Sequence, residues 1–358
     1  MVLAATGSQV AGQVGTLVVL HTNDFHGYIS EDGDRAAGAA RIAAFFKQVR
    51  SERRLVISLD AGDCVSGTPV SVLFKGKPIY EVLEQVGYDA IVLGNHEFDY
   101  GWKAILAYRD LVSFPLLSAN ALSPDGDLIA DAAHTVLDVK GLRIGIVGIT
   151  AERTGRISTE TGNEGIRFLG EVESLKRSLS ALRADCDVLI ALNHCGTEND
   201  SIMAESTEGI DLIVSGHNHD VFETPLIVNG VPIVQAGSYG SHVGFVELVF
   251  DHDLHRVISV NGRVLPAKSL PVADPAVKAV VDHWESKVSD IVDVEIGHSE
   301  RSWKYKDMYP FVKTVLAGSS AQMSATTVPE AFAIRYNKAR LRSGKFGRCI
   351  PLGITWLV

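Results

Sequence analysis

The stretch Gly94-Asn-His-Glu-Phe-Asp99 follows directly on the run Asp89-Ala-Ile-Val-Leu93. That run has the length and composition of a short buried strand. An amide, an imidazole and two carboxylates therefore come together where a strand ends. Four other hydrophobic runs in the chain stop in the same way, and a single such end would mean little. Five of them predict a metal site formed at the ends of strands.

The other four strand ends carry the same kinds of polar residue. They are His21-Thr-Asn-Asp-Phe-His26, Asp60-Ala-Gly-Asp63, Asn193-His194 and Gly216-His-Asn-His219. Considered alone, the polar residues at each strand end could have a structural explanation instead of a functional one, such as a polar turn or a hydrogen-bonded pair in the interior. Gly62-Asp63 alone is a common turn. Because all five ends repeat one pattern, a shared site is the better interpretation.

Together the strand ends supply seven oxygen or imidazole donors. They are Asp24, His26, Asp63, Asn95, His194, His217 and His219. Such donors favour Mn²⁺, Zn²⁺ or Fe over a soft metal. Seven exceed what one catalytic ion uses, because such an ion keeps a position open for water. Two divalent ions that share a carboxylate use this number, and ion pairs about 3.5–4 Å apart recur in phosphoester hydrolysis.

Charge and cysteine content exclude several classes of partner and site. The formal net charge of the 358 residues is −10, but residues 301–358 hold ten Lys and Arg against two acidic residues, so the first 300 residues carry −18. An acidic body argues against nucleic acid as a partner. The sequence has no run of about 18 apolar residues, so no membrane span is predicted. The four cysteines form no Cys-x-x-Cys pair, which excludes a zinc–thiolate site.

Helical and strand patterns alternate along the chain, which predicts an α/β fold. Helical spacing marks four stretches, namely Ala36–Arg50, Pro78–Val86, Trp102–Asp110 and Val172–Leu182. From Val221 to Val264, short strands broken by Gly, Asn and Asp predict antiparallel hairpins. Asp274 followed by Pro275 is a strong helix start, and we expect that helix to run to about Ile291.

The sequence divides into four predicted parts. Residues 1–15 form an N-terminal extension, 16–270 the domain that carries the five strand ends, 271–293 a linker helix and 294–358 a basic tail. For the tail, a divergent segment and a truncated or altered second domain both stay open. Residues 1–14 lack a basic start and a strong apolar centre, so they make a poor secretory signal. This predicts a cytoplasmic protein, with a periplasmic or extracellular location as the alternative.

The four longer motifs together resemble those of the calcineurin-like metallophosphoesterases, and within them of the 5′-nucleotidase branch. His-Thr-Asn-Asp-x-His, Asp-Ala-Gly-Asp, Gly-Asn-His-Glu-Phe-Asp and Gly-His-x-His are matched at residues 21–26, 60–63, 94–99 and 216–219. The similarity covers about residues 16 to 265. It implies a sandwich of two mixed β-sheets flanked by helices, with the metal site at the C-terminal ends of the strands.

The resemblance also implies a role for each site residue. One ion would be held by Asp24, His26, Asp63 and His219, and the other by Asp63, Asn95, His194 and His217. Asp63 would be the bridge between them. His96 would face the substrate phosphoryl group together with Asn95, and Asp99 would orient His96. Glu97 is either a hydrogen-bonding partner of the ligands or ordinary strand-end polarity.

The implied activity is two-metal hydrolysis of a small phosphoester, most simply a 5′-nucleotidase-like reaction in which a hydroxide bridging the ions attacks phosphorus. A 2′,3′-cyclic nucleotide phosphodiesterase or another small-ester hydrolase is the alternative, and a metal-binding module without turnover is the non-enzymatic one. The expected partner is a small phosphoester, most simply a nucleotide; neither nucleic acid nor a membrane span is expected. The family's second domain supplies arginines for the phosphate, in a Gly-Gly-Gly-Ile-Arg type of segment, and aromatics that stack on the base. This segment has no match in the chain.

Overall fold

The structure is a computed structural model, and it describes residues 14–32, 36–158, 162–293, 297–299 and 344–346. Of the predicted N-terminal extension only Val14 and Gly15 are described, as the first residues of a strand, and nearly all of the basic tail lies outside these residues. None of the described helices is both long enough and apolar enough to cross a membrane.

The described part of the chain alternates strands with helices. The strands are β1 (Val14–Thr22), β2 (Leu55–Asp60), β3 (Ala90–Val92), β4 (Leu116–Leu117), β5 (Ala121–Leu122), β6 (His134–Val139), β7 (Leu142–Thr150), β8 (Arg167–Phe168), β9 (Val188–His194), β10 (Leu212–Ser215), β11 (Leu226–Val228), β12 (Val231–Val234), β13 (His242–Asp251), β14 (Arg256–Pro266), β15 (Gly297–Ser299) and β16 (Gly344–Phe346). The α-helices are α1 (Ala39–Glu52), α2 (Pro69–Leu73), α3 (Lys77–Val86), α4 (Trp102–Arg109), α5 (Thr154–Ile157), α6 (Glu171–Leu182), α7 (Thr197–Ser206) and α8 (Pro275–Val292). Two 3₁₀ helices cover His96–Phe98 and Ala267–Ser269.

Two six-stranded mixed sheets form the centre of the fold. The first has the order β14-β13-β1-β2-β3-β4, with β1 to β4 parallel and β13 and β14 antiparallel. The second has the order β11-β12-β10-β9-β7-β6, with antiparallel strands only at its two edges. The predicted α/β sandwich of two mixed sheets is confirmed.

Apolar side chains fill the space between the sheets and the space beneath the helices. Leu17 and Val19 on β1 pack with Ile146 and Ile190 of the other sheet in a buried cluster. Since side chains alternate along a strand, Val18 on β1 points the other way. It joins the core beneath α1, α3 and α8, while α6 and α7 cover the outer face of the second sheet. The helices therefore flank the two sheets on both sides.

The predicted helices are present, with small shifts at their ends. The helix expected from Ala36 begins at Ala39, because Gly38 has a φ of 80° that a right-handed helix cannot continue. At α8, the Asp274 carboxylate accepts hydrogen bonds from the N–H groups of Ala276 and Val277, at 3.0 and 3.1 Å. The expected N-cap is thus observed, and α8 ends one residue beyond Ile291.

Candidate metal centre

All five polar strand ends meet at one edge of the sandwich. β1, β2 and β3 of the first sheet lead into Asp24, Asp63 and Asn95, and β9 and β10 of the second lead into His194 and His217. Because these strands are parallel within their sheets, their carboxyl ends share an edge. The expected juxtaposition of the two sheets' strand ends is observed.

Five of the seven donor residues have a backbone conformation that is unusual for residues other than glycine. They are Asp24, His26, Asp63, His217 and His219, with φ of 55°, 47°, 56°, 87° and 62°. A left-handed conformation at a residue with a Cβ costs about 1–3 kcal/mol and persists only where the surroundings impose it. Hydrogen bonds between loops do so: Asp24 N–H donates to Gly62 O at 2.8 Å, and His26 N–H to Asp63 O at 2.9 Å. The strained backbone conformations at these residues accompany the convergence of the loops on one site.

One group of donors consists of Asp24, His26 and His219. The two imidazole Nε2 atoms are 3.0 Å apart, and Asp24 Oδ1 lies 3.4 Å from His219 Nε2 and 3.7 Å from His26 Nε2. Metal bonds of about 2.0–2.2 Å leave neighbouring ligand atoms roughly 3 Å apart. Asp24 Oδ1 is buried and has no hydrogen-bond partner, whereas its Oδ2 accepts from Asn23 and from the N–H of His217. A cation beside Oδ1 would satisfy this atom.

The second group consists of Asp63, Asn95, His194 and His217. Asp63 Oδ2 is 3.0 Å from His194 Nε2, which is 3.3 Å from His217 Nδ1. Asn95 Oδ1 is 2.8 Å from the same His217 nitrogen. His194 Nδ1 lies 2.6 Å from the carbonyl oxygen of Ala61, to which it donates, so Nε2 is left as the metal-facing nitrogen. This donor set also fits a divalent ion.

Asp63 lies between the two groups. Its carboxylate belongs to a cluster with His194 and His217 and to another with His26 and His96, in each of which the donor atoms lie within 4.8 Å of one another. The second oxygen, Oδ1, accepts a hydrogen bond from the His96 N–H at 2.8 Å. A carboxylate in this position can serve as a bridge between two ions.

The buried charges of the site are arranged to attract a cation. Burial opposes ionisation, yet the neighbouring imidazoles hold the pKa of Asp24 and the pKa of Asp63 below their usual range. Burial likewise opposes protonation of His194, but the carboxylates of Asp63 and Asp24 raise its pKa to about 10. Burial and the adjacent His194 lower the pKa of His217 to about 4. The carboxylates are therefore ionised and pair with positive charge, which bound metal can supply.

His96 and Asp99 form a close pair at the rim of the site. The 3₁₀ turn beginning at His96 brings His96 Nδ1 to 2.6 Å from Asp99 Oδ2. Burial opposes its protonation, but Asp63 and Asp99 raise the pKa of His96 to about 9. The side chain is 37% exposed and its ring centroid is 4.9 Å from that of His26. Both carboxylates thus favour the imidazolium form of His96, with Nδ1 engaged and Nε2 left for a ligand.

Glu97 connects the loops that follow β2 and β3. Its buried carboxylate accepts hydrogen bonds from the N–H groups of Asp63, Cys64 and Gly94, at 3.0, 2.8 and 2.7 Å. Of the two interpretations of Glu97, hydrogen bonding to the ligand loops is the one observed. The close approach of these two loops also requires glycine at position 94, because a Cβ there would lie 2.2 Å from Asp63 Oδ1.

Sequence reasoning missed two residues that touch the site, Ser66 and Tyr239. The Ser66 hydroxyl donates to Asp99 Oδ2 at 2.5 Å. The ring of Tyr239 lies 5.6 Å from the His26 ring and 5.4 Å from the His219 ring, measured between centroids. Neither residue ends a hydrophobic run, so the pattern that found the ligands could not find them. The neighbouring glycines are the only feature of the sequence that marks the turn at Tyr239.

Comparisons with known proteins agree with this geometry. Residues 17–221 match the family model for calcineurin-like phosphoesterases. The chain is 32% identical over 315 residues to the 5′-nucleotidase of Diplobatis ommata, an alignment that covers 79% of this chain and 54% of the relative. It is also 32% identical over 316 residues to the 5′-nucleotidase of Homo sapiens, covering 78% of this chain and 54% of the relative.

A solved structure gives the same result for the fold. The 5′-nucleotidase precursor from Thermus thermophilus aligns with a TM-score of 0.72 at 26% identity, over 81% of this chain and 62% of that one. The chain spans about half the length of the curated relatives it matches, at 54% for both.

Proposed function

Since the chain belongs to the calcineurin-like phosphoesterase family, we propose that it is a metal-dependent hydrolase of phosphoric esters, acting on monoesters in the manner of a 5′-nucleotidase. The observation that carries the proposal is the placement of Asp63 between two groups of donor atoms. Two ions sharing one carboxylate are a recurring device of phosphoester hydrolysis. The similarity to 5′-nucleotidases supports a nucleotide as the substrate.

Two divalent ions, of Mn, Zn or Fe, are the proposed cofactors. Asp24, His26, Asp63 and His219 would hold one, and Asp63, Asn95, His194 and His217 the other. Divalent ions in such a site lower the pKa of water and offset the negative charge of a phosphoryl group. The unpartnered Asp24 Oδ1 and the all-oxygen-and-nitrogen donor set support ions of this class.

His96 and Asp99 are the proposed catalytic pair. The Asp99 carboxylate holds His96 Nδ1, so Nε2–H is the ring N–H left for the substrate. This N–H can bind a phosphoryl oxygen and then protonate the leaving oxygen as its bond to phosphorus breaks. Asn95 would contribute an amide to the same phosphoryl group. A positive charge that is already in place stabilises the transition state at little reorganisation cost.

A substrate panel with metal analysis tests this function. Purified protein with Mn²⁺ added is assayed with nucleoside monophosphates, 2′,3′-cyclic nucleotides and an aryl phosphate. Release of phosphate from the monophosphates supports the proposal. A preference for the cyclic esters would indicate that the chain is a phosphodiesterase instead. If no ester is hydrolysed while metal is bound, the chain is a metal-binding module.

Residues 16–270 are the proposed catalytic unit, with 271–293 as a linker helix. The packing of α8 against α1 and α3 supports a linker that is fixed to this unit.

A further inference from the structure

The carboxylate that orients His96 is itself held by a hydroxyl. Asp99 Oδ2 accepts a hydrogen bond from Ser66 Oγ at 2.5 Å and lies 2.6 Å from His96 Nδ1. Ser66 is 5% exposed, so water does not compete freely for its hydroxyl. One carboxylate oxygen therefore receives two donors from two different loops, the one after β2 and the one after β3. Both its position and its plane are fixed.

The backbone at Ser66 has a conformation that glycine adopts more easily than serine. Its φ is 72°, in the left-handed region where glycine is favoured, and Gly67 follows with a φ of 80°. The turn is fixed by its own bonds: Ser66 N–H donates to Ser71 Oγ at 2.8 Å, and Thr68 Oγ1 donates to Gly27 O at 2.9 Å. A glycine at position 66 would suit this backbone better. What serine adds is the hydroxyl on Asp99.

We propose that Ser66 is a positioning residue for proton transfer to the leaving group. Its bond holds the Asp99 carboxylate against His96 Nδ1, and this keeps His96 Nε2–H aimed at the leaving oxygen. As the oxygen of a water molecule bonds to phosphorus, that water gives up a proton to solvent and the bond from phosphorus to the leaving oxygen breaks. That oxygen takes the Nε2 proton, and the neutral imidazole regains a proton from solvent. The inference rests on the proposed function and assigns Ser66 a part in it.

A purely structural role for Ser66 makes a different prediction about leaving groups. Proton donation matters most when the leaving oxygen is strongly basic, as in a nucleoside 5′-alkoxide, and little for 4-nitrophenolate. A loop that merely loosens would slow both reactions alike. The ratio of the two rates therefore separates positioning of the proton donor from general loss of structure.

The experiment compares Ser66→Ala and Ser66→Gly with the unaltered protein, using adenosine 5′-monophosphate and 4-nitrophenyl phosphate with Mn²⁺. We expect kcat for the nucleotide to fall about tenfold or more, and kcat for the aryl ester to fall by about twofold or less. Ser66→Gly should keep its melting temperature, because glycine accepts the left-handed backbone. Lys140→Gly, another left-handed position (φ 54°) in an exposed turn, is the matched control and should leave both rates unchanged.

Each other outcome has a defined meaning. Equal losses with both substrates, or no loss with either, overturn the positioning role of Ser66 and leave the proposed function standing. In His96→Asn, kcat for the nucleotide should again fall more than kcat for the aryl ester, and the difference should be larger than in the Ser66 variants. If the unaltered protein hydrolyses neither ester, the proposed function itself fails, which is a separate result.

Discussion

The Nε2 atoms of His26 and His219 lie 3.0 Å apart, beside a buried oxygen of Asp24 that has no hydrogen-bond partner. The two histidines are 193 positions apart in the sequence and come from different sheets. Two imidazole nitrogens at this distance repel each other unless a proton or a cation lies between them. Their approach beside an unpartnered carboxylate oxygen fits a position for a cation.

Loss of His219 should empty one metal position. In His219→Ala the first group keeps only Asp24, His26 and the shared Asp63, so we expect metal content to fall from about two ions per chain to about one, with affinity weakened by at least about tenfold. Mass spectrometry of the metal in dialysed protein measures this. His255→Ala, at an exposed histidine beside Asp187, is the control. Unchanged metal content in His219→Ala would remove this residue from the site.

Gly94→Ala should disturb the proposed bridge. The added Cβ would lie 2.2 Å from Asp63 Oδ1 and 2.5 Å from Asp63 N, so the carboxylate must move. We expect weaker binding of both ions, loss of turnover and about 1–3 kcal/mol less stability. Metal titration and urea unfolding measure the two effects. In Gly170→Ala nothing lies within 4 Å of the new Cβ, and this variant should behave like the unaltered protein.

His96→Asn should separate turnover from metal binding. The substitution removes the proposed proton donor but no proposed metal ligand, so kcat for a nucleoside monophosphate should fall by about 10²–10⁴. Metal content should persist at its normal level. The exposed His283 on α8 gives a control, His283→Asn. Normal activity in His96→Asn would show that His96 is not the proton donor. Loss of metal in this variant would show that His96 is a metal ligand instead.

Asp200 should make stability fall with rising pH. It is buried on α7, where it accepts hydrogen bonds from Asn193 and Ser215, and burial raises its pKa to about 7. The unfolded chain has a pKa of about 3.9 for such a group. Between these values the folded state binds the extra proton, so stability declines by about 1.4 kcal/mol per pH unit at most and is constant above pH 7.

Asp200→Asn mimics the protonated carboxyl and should remove that slope. Urea unfolding at pH 5, 6, 7 and 8, with a chelator present in every sample, gives the two curves. The variant should gain stability relative to the unaltered protein as the pH rises, most of all at pH 8. Parallel curves would mean that Asp200 ionises normally in the folded protein.

The convergence of the proposed metal donors could be predicted from the sequence because each lies within a few residues of a strand end. A buried strand is readable as a short hydrophobic run, and parallel strands bring their ends to one edge. Asp63 and His194 could be paired on that basis although 131 positions separate them. The helix at Asp274 was predictable for a similar reason, since its cap is a local signal.

The residues that support the donors could not be predicted in this way. Ser66 reaches Asp99 only because the loop after β2 takes up a left-handed conformation, which no propensity of serine indicates. Tyr239 contacts His26 through a turn 213 positions further along the chain. Helix α7 was missed because its buried side consists of Asp200, Met203 and Ala204, which make no apolar stripe.

Stepwise addition of Mn²⁺ to protein freed of metal, with bound ions and phosphate release measured on the same samples, tests the central claim most directly. With adenosine 5′-monophosphate as substrate, we predict saturation at two ions per chain and hydrolysis that appears with the second ion. Saturation at one ion, or two bound ions without release of phosphate from any ester, would contradict the two-metal hydrolase.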